Sequence, residues 1–161
     1  GDELPVLILV TNNRWGISTP YGTQHGEQRI ADRGKAFGMR TVTINGNDPE
    51  ESYLQIKEAM DYIRKTGKPV LMEALVSRLY GHSSASGANF ITNEEDPIKS
   101  FEERLAASGV MTSGEIKAVW DRYNEEMAAL AKVARGEPQP DHESVWDHVY
   151  ANQTGRIDRF W

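Results

Sequence analysis

Hydrophobic and polar positions follow two alternating patterns along the first half of the chain. Val6-Leu7-Ile8-Leu9-Val10 is apolar at every position, the pattern of a strand covered on both faces of a parallel sheet. It runs out into polar Thr11-Asn12-Asn13. A helix is predicted over residues 28–37, closed by Gly38, ahead of a short strand at residues 41–44. Asn45-Gly46-Asn47 supplies a turn. Asp48-Pro49-Glu50-Glu51 then reads as a helix start, with a capping acid, a proline in the first turn and acids at the positive end of the dipole. Tyr53, Ile56, Met60 and Ile63 repeat at helical spacing and predict a helix with one face on the sheet, ended by Gly67. Residues 69–76 make a third strand. Strand, helix, strand, helix, strand predicts an α/β fold, a parallel sheet with flanking helices, and places ligands beyond the carboxyl ends of the strands. Those ends carry Asn12-Asn13 and residues 78–86.

The pattern then changes. Residues 79–97 are rich in Ser, Gly and Asn without periodicity, and a loop of that length is usually functional or disordered. Helices are predicted over residues 101–107 and 113–134, the second with Ile116, Trp120, Tyr123, Met127 and Leu130 on one face, which reads as core or subunit contact rather than a cofactor box. Gly136-Glu137-Pro138-Gln139-Pro140 breaks that helix, and the tail to Trp161 has no period. No internal repeat is present.

Composition narrows the function classes. With 161 residues, 39% hydrophobic and 26% charged, the chain suits an ordinary globular domain. A net charge of −6 with no Lys/Arg stripe argues against nucleic acid as a partner. The longest apolar run, residues 4–10, has seven residues and contains a proline, too short to span a membrane. Zero cysteines exclude a disulfide framework and a thiolate metal site. The opening Gly1-Asp2-Glu3-Leu4-Pro5 runs straight into a buried-type strand and reads as a cut end.

Two strings carry chemistry. Alone, Asn12-Asn13 at a strand end is an ordinary turn, because amides satisfy loose backbone groups there. The whole string Leu4-Pro5-Val6-Leu7-Ile8-Leu9-Val10-Thr11-Asn12-Asn13-Arg14-Trp15-Gly16-Ile17-Ser18-Thr19-Pro20, however, resembles the second half of the thiamine diphosphate motif in alpha subunits of 2-oxo acid dehydrogenases. Likewise a lone His82 in a polar loop is ordinarily a solvated histidine. Yet Glu73-Ala74-Leu75-Val76-Ser77-Arg78-Leu79-Tyr80-Gly81-His82-Ser83-Ser84-Ala85-Ser86 is similar to the segment that opens the same family's active-site loop. Asn45-Gly46-Asn47-Asp48 and Lys68-Pro69-Val70-Leu71-Met72-Glu73-Ala74 match further family strings, the first read as a turn and helix cap.

The resemblance implies a site. The Asn13 side chain and the Trp15 backbone carbonyl would bind the magnesium that bridges the cofactor's diphosphate, and hard oxygen ligands suit that ion. The family usually has Tyr where Trp15 stands, a mild departure for a carbonyl ligand. His82 would face the reactive part of thiamine diphosphate, a task suited to imidazole, which exchanges a proton near neutrality. Arg78 would hold the loop and diphosphate region. Ser83 falls where mitochondrial members are phosphorylated, but no such regulation is carried over. The family continues the loop with aspartates and later a Tyr-Arg pair, whereas this chain reads Ser86-Gly87-Ala88-Asn89-Phe90, which departs at the loop anchor and lipoyl-domain contact.

By the same resemblance, residues 1–97 are the C-terminal part of a thiamine diphosphate-binding α/β domain and residues 98–161 a helical extension packing on it or on a partner subunit. The family's Gly-Asp-Gly would precede residue 1, and the glutamate that activates the cofactor belongs to a beta subunit or fused beta domain. The chain alone is expected to be inactive. The implied activity is decarboxylation of a 2-oxo acid, with the acyl group handed to the lipoyl domain of an acyltransferase component. Ile17-Ser18-Thr19-Pro20 leans toward branched-chain acids over pyruvate. Location would be the cytoplasm in a bacterium or the mitochondrial matrix in a eukaryote. A different class of reading makes the chain a non-catalytic interaction module derived from this family, its long C-terminal helix serving assembly. A hydrolase built on Ser83 or Ser84 with His82 lacks a Gly-x-Ser-x-Gly elbow, and neighbouring residues do not make a triad. His142 and His148 are wrongly spaced for one helical metal face and read as solvated.

Overall fold

The computed structural model describes residues 4–83 and 93–146. Ser84, the string Ser86-Gly87-Ala88-Asn89-Phe90, His148 and the tail after Trp146 lie outside the described residues. The chain forms two compact units, Gly1–Thr112 and Ser113–Trp161.

The first unit is α/β, as the sequence pattern predicts. Three parallel strands, β1 (Leu7–Asn12), β4 (Arg40–Asn45) and β5 (Val70–Leu75), make a sheet in the order β1-β5-β4. A two-stranded hairpin, β2 (Trp15–Gly16) with β3 (Thr19–Pro20), follows β1. Helix α1 (Pro49–Thr66) starts where predicted. Asp48 stands extended at φ −98° and accepts hydrogen bonds from the Glu50 and Glu51 N–H groups, while Gly67 ends the helix at φ 71°. That left-handed value suits glycine because no Cβ opposes it.

The segment predicted as a helix over residues 28–37 is a 3-10 helix, Ile30–Phe37, closed by Gly38 at φ 70°. Gly34 inside it lowers α-helical propensity. It also lets the backbone approach the sheet, since a Cβ there would lie 2.9 Å from Thr41 Cγ2 and 3.0 Å from Leu71 Cδ2.

Successive residues of β5 point to opposite faces. Val70, Met72 and Ala74 pack with Ile44 on Ala59 and Ile63 of α1. Leu71 and Glu73 face the 3-10 helix on the other side. Val70 and Met72 are fully buried, and each such side chain contributes about 1.5–3 kcal/mol by leaving water.

Strand β1 departs from expectation. Its pattern predicts cover on both faces, yet it forms one edge of the sheet, with Ile8 43% and Leu9 45% exposed. An all-apolar run specifies side chains suited to burial but not which part of a molecule covers them.

Helix α2 (Pro97–Ala107) begins four residues before the predicted start at 101. Asp96-Pro97 repeats the Asp48-Pro49 device, with the Asp96 side chain accepting from the Ile98 and Lys99 N–H groups. Arg104 of α2 reaches Asp48 at 2.7 Å and Glu50 at 3.0 Å.

The second unit consists of α3 (Ser113–Gly136) and a short 3-10 helix, His142–Trp146, among the described residues. The predicted apolar face of α3 is not a core within this unit, because Tyr123, Met127 and Leu130 are each at least half exposed. Among the described residues no helix is long and apolar enough to cross a membrane.

Candidate functional site

The parallel register brings Asn12, Leu75 and Asn45 into one row at the carboxyl ends of the strands. Backbone bonds close that row. The Val76 N–H donates to the Asn12 carbonyl (3.0 Å) and the Gly46 N–H to the Leu75 carbonyl (2.7 Å). Asn47 and Ser77 add a reciprocal pair, the Ser77 N–H donating to Asn47 Oδ1 (2.9 Å) and Asn47 Nδ2 to Ser77 Oγ (2.7 Å). Gly46 is required there, since a Cβ would lie 2.6 Å from Val76 Cγ1.

From this fixed edge the chain turns sharply. Arg14 adopts φ 64°, in the left-handed region, and its N–H donates to Asn12 Oδ1 at 2.8 Å. The Trp15 N–H donates to Asn13 Oδ1 at 3.0 Å. These two Asx turns hold an uncommon backbone geometry that a non-glycine residue resists. Trp15 then pairs with Pro20 as a non-hydrogen-bonded pair, flanked by the Tyr21 N–H to Arg14 carbonyl bond, so the Trp15 carbonyl points away from β3 and takes no bond from the hairpin ladder. Tyr21 closes the turn, its N–H bonded to the Arg14 carbonyl and its ring stacked on His25 at 4.2 Å. Burial, then the Glu27 carboxylate, holds the Tyr21 hydroxyl pKa above its usual value.

Arg78 joins the two predicted strings. Its Nε donates to the Tyr80 carbonyl at 2.9 Å, Nη1 donates to the Ile17 carbonyl, and the guanidinium lies 5.8 Å from the centre of the Trp15 ring. Ile17 is a second left-handed residue, at φ 57°. The structure thus brings Asn13, Trp15 and Arg78 into one neighbourhood. His82 is exposed, at a bend beyond Arg78, and no hydrogen bond or ring contact joins it to those three among the described residues.

Two clefts open at the carboxyl edge. One, of about 560 Å³, is lined by Asn12, Arg14, Trp15, Tyr21, Arg29 and Leu75. The other, of about 480 Å³, shares Arg14, Arg29 and Leu75 and extends to Asn45, Asn47 and Ser77. Both lie where ligands of open parallel sheets bind.

A family model described as dehydrogenase E1 component matches residues 2–143. The chain belongs to the dehydrogenase E1 component family. It is 32% identical over 157 residues to the 2-oxoisovalerate dehydrogenase subunit alpha of Bacillus subtilis, an alignment covering 92% of this chain and 48% of that protein. To the pyruvate dehydrogenase E1 component subunit alpha of Acholeplasma laidlawii it is 30% identical over 165 residues, covering 96% and 48%. To that of Rickettsia bellii it is 24% identical over 154 residues, covering 91% and 47%. The chain therefore spans about half the length of the curated relatives it matches.

In this E1-family chain, sequence reasoning missed one group next to the predicted pair. Glu73 is fully buried, its Oε1 accepting from Asn12 Nδ2 at 2.7 Å and its Oε2 from the Ala31 N–H at 3.0 Å. Asn12 is itself buried, at 7% exposure. A buried carboxylate is costly unless charge-assisted hydrogen bonds satisfy it. A lone acid inside the apolar run Pro69-Val70-Leu71-Met72-Glu73-Ala74 was the available signal.

Proposed function

We propose that this chain supplies part of the thiamine diphosphate and magnesium site of an E1 component that decarboxylates a 2-oxo acid. The observation that carries this is the turn after β1, where the amide oxygen of Asn13 and the carbonyl of Trp15 lie two residues apart on a backbone held by Asx bonds. The fit is chemical. Asn13 Oδ1 accepts one N–H and keeps a lone pair, and the Trp15 carbonyl, in a non-hydrogen-bonded pair with Pro20, points away from β3 and takes no ladder bond. Two neutral hard oxygens suit magnesium, which would take its remaining ligands from phosphate, water and carboxylate oxygens.

Thiamine diphosphate, when bound, supplies the carbanion-stabilising group on which a 2-oxo acid loses carbon dioxide. The residues here bind and orient. Arg78 spends its guanidinium on two carbonyls, which supports a bracing role between the hairpin and the strand exit. His82, on the exposed arm beyond it, would hold or release a proton beside the substrate. A beta subunit or fused beta domain completes the site, and the lipoyl domain of the acyltransferase component receives the acyl group. The substrate is a branched-chain 2-oxo acid, with pyruvate next. Support for that order comes from Ile17-Ser18-Thr19-Pro20 and from the 32% identity to a 2-oxoisovalerate dehydrogenase subunit. A bacterial member would act in the cytoplasm and a eukaryotic one in the mitochondrial matrix.

The test is titration of magnesium with thiamine diphosphate into the complete alpha subunit with its beta partner, following Trp15 fluorescence against a Trp15→Phe control. Saturable quenching that Asn13→Ala abolishes is expected. No binding, or binding indifferent to Asn13→Ala, would overturn the assignment. The second reading, an assembly module, draws on the exposed apolar face of α3, and a failed titration would favour it.

A further inference from the structure

We propose that Glu73 is a positioning residue for cofactor binding: through Asn12 it fixes the backbone turn that presents Asn13 and Trp15. This rests on the reading of those two residues as the metal-binding pair. Glu73 itself is buried behind the turn and acts through Asn12.

The chain of contacts is short. Glu73 Oε1 takes the Asn12 Nδ2 donor, which leaves Asn12 only one way round: its Oδ1 must face the other side, where it accepts from the Arg14 N–H at 2.8 Å. That bond holds Arg14 at φ 64°, and the geometry of Arg14 sets where Asn13 and Trp15 point. The second oxygen, Oε2, holds the Ala31 N–H at 3.0 Å and so ties the turn to the start of the 3-10 helix. One carboxylate therefore links β5, the end of β1 and the helix that covers that face of the sheet.

The hydrogen-bond inventory makes the acid indispensable. Both partners of Glu73 are donors, so it must be an acceptor at both oxygens. With Glu73→Gln, one end of the new amide is a donor. If its NH₂ faces Ala31, two donors meet. If it faces Asn12, the Asn12 amide must flip and turn its NH₂ on the Arg14 N–H, and two donors meet there instead. Either way the strain reaches the turn or the helix. Adding Asn12→Asp removes the conflict. The glutamine oxygen can then take the Ala31 N–H and its NH₂ can donate to the new carboxylate, whose other oxygen takes the Arg14 N–H. Charge and shape are both conserved in this exchange of acid and amide.

The experiment titrates magnesium into the assembled alpha–beta protein at a fixed excess of thiamine diphosphate, by calorimetry, well below the unfolding temperature of every variant. Supporting groups of this kind set metal affinity over roughly 10–100-fold. Glu73→Gln should weaken binding by about that factor, and the Glu73→Gln/Asn12→Asp pair should recover it. If Glu73→Gln lowers thermal stability but binds magnesium like the wild type, or if the pair recovers stability without affinity, Glu73 is only a core residue and the proposal fails. If the wild type itself does not bind, the metal reading of Asn13 and Trp15 is what falls. The positioning claim is then decided by hydrogen exchange at the Arg14 and Trp15 amides. Faster exchange in Glu73→Gln, restored in the pair, is expected, and equal exchange in all three overturns it.

Discussion

Strands β1 and β5 are entered through the same triplet, Pro5-Val6-Leu7 and Pro69-Val70-Leu71, and continue with apolar residues, yet they meet opposite fates. Val70 is fully buried and Val6 is 41% exposed. In register, Leu9 lies beside Met72, one 45% exposed and the other inaccessible. β5 is the middle strand with a helix on each face, while β1 has a neighbour on one side only. The difference teaches that hydrophobic patterning selects strand structure, whereas burial belongs to topology. Beyond their backbone ladder the two strands share a buried side-chain contact, Asn12 to Glu73, and it sits beside the candidate site.

The comparison breaks if the paired positions respond alike to truncation. Met72→Ala should cost about 2–5 kcal/mol, because the removed side chain leaves a cavity at the centre of the core. Leu9→Ala, next to it on the same face, should cost about 1 kcal/mol, since that side chain is already half in water. Urea unfolding of both variants of the first unit measures the contrast. Equal losses would mean that β1 is covered as β5 is.

A smaller effect is expected where the strands end. Gly46→Ala would press a methyl group against Val76, Ala74 and the Leu75 carbonyl, with nearest approaches of 2.6 to 3.0 Å. Overpacking of this kind costs about 1–3 kcal/mol. Gly22→Ala, where a Cβ meets nothing within 4 Å, serves as the control and should stay within about 0.5 kcal/mol of the parent. Thermal unfolding separates them. A neutral Gly46→Ala would show that the carboxyl edge is looser than its hydrogen bonds imply.

What was legible in the sequence follows from distance along the chain. Asp48-Pro49 and Gly67 bounded α1 correctly because capping is local chemistry. Asp96-Pro97 carried the same signal for α2, and the predicted start at 101 overlooked it. The 3-10 character of residues 30–37 depends on how closely Gly34 meets the sheet, which no local rule encodes. At the site, motif resemblance pointed to Asn13, Trp15, Arg78 and His82, and the fold brings the first three together, whereas no hydrogen bond or ring contact joins His82 to them among the described residues. Glu73 escaped because its partner Asn12 is 61 residues away, and the Arg78 to Ile17 contact spans the same separation. Parallel pairing creates such contacts, and a single sequence states them only as an acid that looks misplaced in an apolar run.

The least effect is expected at an ion pair that, unlike the buried contact of Asn12 with Glu73, faces water. The Arg104 guanidinium, then the first-turn N–H groups of α1, hold the Asp48 carboxyl down from 3.8 to about 2. In the unfolded chain the same carboxyl binds its proton at the ordinary value. Between those values the unfolded state therefore carries more protons, and stability rises with pH. The contribution of Asp48 is complete above the unfolded value and is lost as the pH falls through about 2. Arg104→Ala removes the largest cause but leaves the capping bonds from Glu50 and Glu51. Titration of the Asp48 carboxyl by NMR should then move upward without reaching 3.8, and the acid loss of α1 helicity should begin at a higher pH. An unmoved titration would mean that the cap alone depresses this acid and that the pair with Arg104, half exposed as it is, adds nothing that solvent does not screen.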